Sequence, residues 1–388
     1  MPVRTPAAPP LDLATLAREV LSRPAASYIE QHVREYIRGF AEARGLDYAE
    51  DRFGNAYVTY RRGAAGRRGA GRGGAARRPL VLGAHMDHPG FVVAGVRGRR
   101  LDLEFRGGLS SEYGKGEGVR LYSAATGEAL GRATIESVRA ANGRIAGARA
   151  HLDEGTVEAG DMALWDVDVC RVRGEVIHAR QCDDLGGCIA VLATLDRLAA
   201  LKTPAHVIGL FTRAEEDGLR GAAVVGRERL LPHDAIVLAI ETSSMAGGRA
   251  VQGGGPIVRV GDAIHVFSPR VTQWMTALAQ ELRAQDPAFA FQRKLMDGGV
   301  TEATAYDIFG YETGAACVAL GNYHNAGPRG RVAAETIHLG DLEGLVRLCV
   351  RMAETVPRYP SYLLNVQQRL DVLGREAASR LRARRTSR

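Results

Sequence analysis

Four short apolar runs each deliver an acid or an imidazole at their C-terminal end. PLVLGAHMD carries His85 and Asp87, VIGLFTRAEE carries Glu215 and Glu216, AIVLAIE ends on Glu241, and CVALGNYH ends on His324. Short continuous apolar runs mark strands buried on both faces. Helical patterns alternate with them: CDDLGGCIAVLATLDRLAAL, GAAVVGRERLL, RVTQWMTALAQELRAQ and, as the final long helix, DLEGLVRLCVRMAETV. Trp274 is expected to pack on a helix face. Two more helices open the chain, in LDLATLAREVLS and ASYIEQHVREYIRGFAEARG, where Ile29, Val33, Tyr36, Ile37 and Phe40 share one face. The alternation predicts an α/β fold with a mixed, largely parallel sheet flanked by helices.

From about 91 to 177 the texture changes to short β-like pieces between glycine turns, which predicts a small inserted all-β domain. The α/β domain is then discontinuous, 1–90 and 178–388. The net charge of +7 resides in one place. The stretch RRGAAGRRGAGRGGAARR, 61–78, holds seven arginines and no acid, and without it the chain is neutral. It is read as a flexible surface loop, so nucleic acid is not expected as a partner. The closing REAASRLRARRTSR is read as a fraying helix end or tail. Five scattered cysteines without a CxxC pair are read as reduced thiols. No apolar run approaches the roughly 20 residues of a membrane helix, and the first residues lack a secretory signal pattern. No membrane partner and a cytoplasmic location are therefore expected.

In open α/β sheets the carboxyl ends of strands collect at one edge, and ligands bind there. Four strands place His85, Asp87, Glu215, Glu216, Glu241 and His324 on that edge, and Asp183 and Asp184 open the helix after the insert. Imidazoles and carboxylates without a thiolate pair suit divalent Zn, Co or Mn. Two ions sharing one carboxylate can hold a hydroxide between them. A further carboxylate must remain free to take its proton. Adjacent glutamates offer that division of labour.

The order and spacing of EDRFGNAYV, GAHMDHPGFVV, VEAGDMALWD, CDDLGGCIAVL, FTRAEEDGLRGA and GGGPIVRVGD resemble the TET-type dinuclear metallo-aminopeptidases of the zinc exopeptidase clan, over roughly 25–350. The resemblance implies His85 and Glu241 on the first metal, Glu216 and His324 on the second, and Asp183 bridging both. It implies Glu215 as general base and Asp87 as the carboxylate that orients His85. Gly299, Thr301, Glu302 and Tyr323 fall in the implied substrate-binding region. Two divalent ions per subunit, a short peptide substrate and a homo-oligomer, from dimer up to dodecamer, follow from the same resemblance. Some positions depart from the family pattern. His88 and Pro89 follow the HMD triplet where an acid is commoner, and Glu241 stands where aspartate is usual. No arginine precedes Tyr323, and Glu302 lies near where a Gly-Thr-Asp sequence is typical. The last two bear on the substrate, and deacylases of the clan make an N-acyl or non-peptide amide the alternative. A scaffold without turnover fits poorly, because every implied ligand and the base are present.

Overall fold

A computed structural model of the chain describes residues 11–63, 78–248 and 250–382. Helices α1 (Leu13–Leu21) and α2 (Gln31–Ala43) precede the hairpin β1 (Asp47–Glu50) and β2 (Ala56–Arg62), and β3 (Leu80–His85) follows. Next come β4 (Gly90–Arg97), β5 (Arg100–Arg106), β6 (Gly118–Tyr122), β7 (Ala129–Ala141), β8 (Arg144–Gly155) and β9 (Met162–Trp165). The chain continues through β10 (Cys170–Arg173), β11 (Val176–Ala179), α3 (Cys182–Leu201), β12 (Ala205–Thr212), α4 (Arg220–Arg227), β13 (Ile236–Ser244), β14 (Ile257–Arg259) and α5 (Pro269–Gln285). It closes with β15 (Gln292–Lys294), α6 (Glu302–Ile308), β16 (Glu312–Leu320), β17 (Glu335–His338), α7 (Leu339–Thr355) and α8 (Tyr359–Leu381).

The main sheet has the order β1-β2-β12-β3-β13-β16-β14-β15. Its centre, β12-β3-β13-β16, is parallel, and antiparallel pairs flank it. Alternate side chains pack on opposite faces. In β3, Leu80, Leu82 and Ala84 join the core that holds α3, α5 and α7, whereas Val81 joins the smaller core with Ala222 and Val225 of α4 and Tyr306 of α6. Burial on both faces explains why these strands read as unbroken apolar runs. Helix α3 is buried from Cys182 through Leu195. Gly187 allows that depth, since a Cβ there would meet Ile240 O at 2.6 Å.

Strands β4 to β9 close into a barrel with its own core, in which Phe91 stacks edge-on against Trp165 at 5.1 Å. The β-rich stretch expected over 91–177 thus divides. The barrel ends at Trp165, and the β10–β11 hairpin pairs instead with β17 in a three-stranded sheet. Of the Arg/Gly stretch, residues 64–77 lie outside the described residues; Arg61 and Arg62 end β2, and Arg78 pairs with Glu312 at 2.7 Å.

One expectation is corrected at the C-terminus. Helix α7 is not the last: a 23-residue helix, α8, follows it through Leu381, and of the closing stretch 375–388 residues 383–388 lie outside the described residues. Pro357, just past the end of α7, and Pro360, in the first turn of α8, explain the break and restart, because proline suits the first turn of a helix and not its interior. Its root is packed: Tyr359 lies 4.9 Å from the fully buried Trp274, whose indole N–H donates to Thr355 Oγ1 at 3.2 Å. Trp274→Ala should therefore lower the unfolding free energy by about 3–5 kcal/mol, the usual cost of emptying a large aromatic site. Urea titration followed by circular dichroism would measure it, and a loss under 1 kcal/mol would contradict this packing.

Candidate metal centre

Each strand end contributes as the sheet geometry requires. His85 is the last residue of β3, Glu241 lies on β13, and Glu215 and Glu216 follow β12 after a turn through Ala214 at φ 50°. Asp183 and Asp184 open α3 with non-helical backbone. His324 follows β16 at φ 53°, in the left-handed region that β-carbon-bearing residues seldom adopt. Its N–H donates to Glu335 Oε1 at 2.8 Å, which fixes that turn.

The six side chains His85, Asp183, Glu215, Glu216, Glu241 and His324 converge on one cavity of about 320 Å3. His85 Nε2 lies 3.6 Å from Asp183 Oδ1, 3.8 Å from Glu215 Oε2 and 4.0 Å from Glu241 Oε2. His324 Nε2 lies 3.6 Å from Asp183 Oδ2 and 3.2 Å from Glu216 Oε1. Asp183 therefore sits between the two imidazoles, with one oxygen toward each. Both imidazoles are oriented from behind. His85 Nδ1 donates to Asp87 O at 3.1 Å, and His324 Nδ1 donates to Gly108 O at 2.5 Å, so both Nε2 atoms face the cluster.

Asp87 is fully buried behind His85. Its carboxylate accepts from Ser27 Oγ at 2.6 Å and from the N–H groups of Glu215 and Glu216 at 2.9 and 3.2 Å. Glu335 plays the matching part on the other side, accepting from Asp183 N at 3.0 Å as well as from His324 N. Nothing in the sequence marks Glu335, which sits in an ordinary edge strand. His88 spans Asp183 O and Asn325 Oδ1 at 2.5 and 3.0 Å.

The substrate-binding expectations divide. Gly299 and Tyr323 line the cavity. Thr301 and Glu302 lie behind it, because α6 begins there and turns its first residues inward. Thr301 Oγ1 donates to Glu241 Oε1, and Glu302 accepts from Thr212 Oγ1 at 2.5 Å and Tyr306 OH at 3.3 Å. A residue not foreseen, Arg259 of β14, does line the cavity. It is buried and donates to Ser243 Oγ and Met296 O, and no carboxylate of the described residues lies within ion-pair distance.

The M42 glutamyl aminopeptidase family profile matches residues 69–348. The chain belongs to the M42 glutamyl aminopeptidase family. It is accordingly a peptidase, and hence a hydrolase. The fold is shared with solved structures of low identity. A TET1 structure resolved as a dodecamer superposes with a TM-score of 0.71 at 23% identity, covering 88% of this chain and 99% of that one. The Pyrococcus horikoshii TET1 peptidase, described as assembling into a tetrahedron or a large octahedral shell, gives 0.71 at 21%, with the same coverage. An aminopeptidase from the archaeon Desulfurococcus kamchatkensis gives 0.71 at 18%, covering 88% of this chain and 94% of that one.

The donor set of this M42 peptidase fits divalent cations. Ligand atoms of His85, Asp184 and Glu241, of His85, Glu215 and Glu216, and of Asp183, Glu216 and His324 lie within 4.8 Å of one another in each group. Glu216 Oε1 and Asp184 Oδ2 are buried without a hydrogen-bond partner. Burial, reinforced by Glu216 and Glu241, drives the Glu215 carboxyl well above its ordinary range, with His85 opposing. Burial would lower His85, yet Glu215, Asp183 and Asp87 raise it well above the usual imidazole value. So many carboxylates around two imidazoles leave a negative excess, which cations relieve.

Burial also pushes the Glu302 carboxyl up to about 7, from an ordinary 4.5. The folded protein then holds a proton that the unfolded chain releases above that ordinary value. This contribution to stability is complete below about pH 4.5 and is lost as pH rises through 7. Glu302→Gln keeps an acceptor for Thr212 and removes the titration. The variant's melting temperature relative to wild type should rise from pH 5 to pH 8, as read by calorimetry; a constant difference would contradict the assignment.

Proposed function

We propose that this peptidase is a dinuclear metal-dependent aminopeptidase that removes N-terminal residues from short peptides. The placement of Asp183, with its two oxygens each 3.6 Å from a different histidine, is the observation that supports it most. His85, Asp183 and Glu241 would hold one cation, and Asp183, Glu216 and His324 the other, with Zn the expected ion and Co or Mn using the same ligand types. Divalent cations at such a site polarise a carbonyl and acidify water.

Glu215 acts as general base, taking a proton from the attacking water and returning it to the leaving amine. Its raised affinity for protons suits the second half of that task. Asp87 keeps the base and its neighbour in place through both their backbone N–H groups. Arg259 places a fixed positive charge in the cavity wall, which favours acidic over basic side chains at the cleaved residue. The assembled forms described for the TET1 structures support a homo-oligomer, from dimer up to dodecamer. Free cysteines fit a reducing cytoplasm, and no described helix is long and apolar enough to cross a membrane.

Glu215→Gln should lower kcat by about 10²–10⁴-fold, the usual contribution of a general base, while metal content by elemental analysis stays at the wild-type level. Asp183→Ala should lose metal as well as activity. A chelator should abolish hydrolysis of aminoacyl anilides and metal add-back restore it, with acidic residues preferred to basic ones. Activity in Glu215→Gln within tenfold of wild type would overturn the assignment of the base. Turnover of N-acyl substrates and not of free amines would move the enzyme to the deacylase reading.

A further inference from the structure

Helix α8 lies beyond the family match, which ends at 348, and the TET1 structures are covered to 99% while leaving 12% of this chain unmatched. Beyond its root it exposes several large apolar side chains. Val366, Leu370 and Leu373 are 45%, 62% and 51% exposed, and with Ala377 they repeat at alternating spacings of four and three, one continuous stripe. Arg369 and Glu376 flank the stripe on the same side, seven residues apart, and neither has an ion-pair partner among the described residues.

We propose that α8 pairs antiparallel with α8 of a second copy of this chain, about a two-fold axis between Asp371 and Val372. In that register Leu370 meets the partner's Leu373, and Val366 meets the partner's Ala377. Arg369 then faces the partner's Glu376, and Glu376 faces the partner's Arg369. One helix thus carries both halves of a self-complementary contact, as an isologous dimer requires. Parallel pairing would leave these charges without that exchange. Val366 also lines a groove of about 560 Å3, where Val266, Phe267 and Tyr362 lie beside the polar Gln273, Gln280 and Arg293. Leu381, 81% exposed at the far end, reaches the level of the partner's Tyr362 at that groove. A helix pair alone is a small interface, and the groove enlarges it.

The test is the oligomeric mass of the full-length protein by analytical ultracentrifugation, over a concentration series. Leu370→Glu with Leu373→Glu should raise the concentration for half-association at least tenfold, with an unchanged thermal melt as the control for folding. Arg369→Glu alone and Glu376→Arg alone should each weaken association severalfold, because each sets like charges opposite one another. The double exchange R369E/E376R should return it to within twofold of wild type. Failure of the double exchange to restore association would overturn the antiparallel register. Unchanged association in the leucine variant would overturn the interface. Co-sedimentation with vesicles of phosphatidylcholine and phosphatidylglycerol, lost in the leucine variant while its association stays at the wild-type level, would assign the stripe to a membrane surface instead.

Discussion

Two buried carboxylates, Asp87 and Glu335, hold the ligand-bearing backbone together. Each accepts a pair of main-chain N–H groups from segments that carry site residues: Glu215 and Glu216 in one case, Asp183 and His324 in the other. A parallel sheet brings strand ends to a common edge, but neighbouring strands are several ångströms apart and their following loops are free to diverge. A ligand set needs tighter placement than that. A carboxylate that accepts two N–H bonds supplies it at short range, and the charge-assisted bonds offset part of the cost of burying the acid. The site is thus positioned at two levels, coarsely by the sheet and finely by these two residues.

The barrel takes part in the same arrangement. Gly108, in the loop after β5, supplies the carbonyl that orients His324. Glu117 of the barrel pairs with Arg331, and Tyr113 OH donates to Gly327 O at 3.3 Å, both in the segment that follows His324. One imidazole of the cluster is therefore held from the β insertion and the other from β3 and its own loop. This couples the orientation of His324 to whatever restrains the barrel.

How far the sequence discloses this depends on the range of the interaction. Strand ends are legible because burial on both faces leaves an unbroken apolar run, and the first polar residue after it must emerge at the edge. His85 and Glu241 are of this kind; Glu215 and Glu216 come three and four residues after β12, and His324 four residues after β16, legible only as polar residues close behind such a run. Asp183 is legible through its place at a helix mouth. Glu335 is not, since it bonds Asp183 N across 152 residues and its local sequence resembles any edge strand; Arg259 lies within GGGPIVRVGD, but nothing local shows that its side chain faces the cavity. Thr301 and Glu302 show the opposite failure: the family resemblance implies a loop at the substrate, whereas the start of α6 turns both inward. Helix α8 was hidden by Pro357 and Pro360, which together read as a stop after α7, whereas Pro360 sits in the first turn of the next helix.

The adjacent glutamates embody the conflict that defines the site. Consecutive carboxylates in a buried turn repel, and Asp87 adds a third negative group through the bonds that hold the turn. Yet the two side chains serve different neighbours, Glu216 lying 3.2 Å from His324 and Glu215 3.8 Å from His85. The repulsion cannot be relieved by separation, because the backbone is pinned. It can be relieved only by protons or by cations. Protons neutralise one carboxylate at a time and are lost as pH rises, whereas a divalent ion would lower the energy of several together. A turn built rigidly enough to keep its charges together is therefore also one that favours metal over protons near neutral pH.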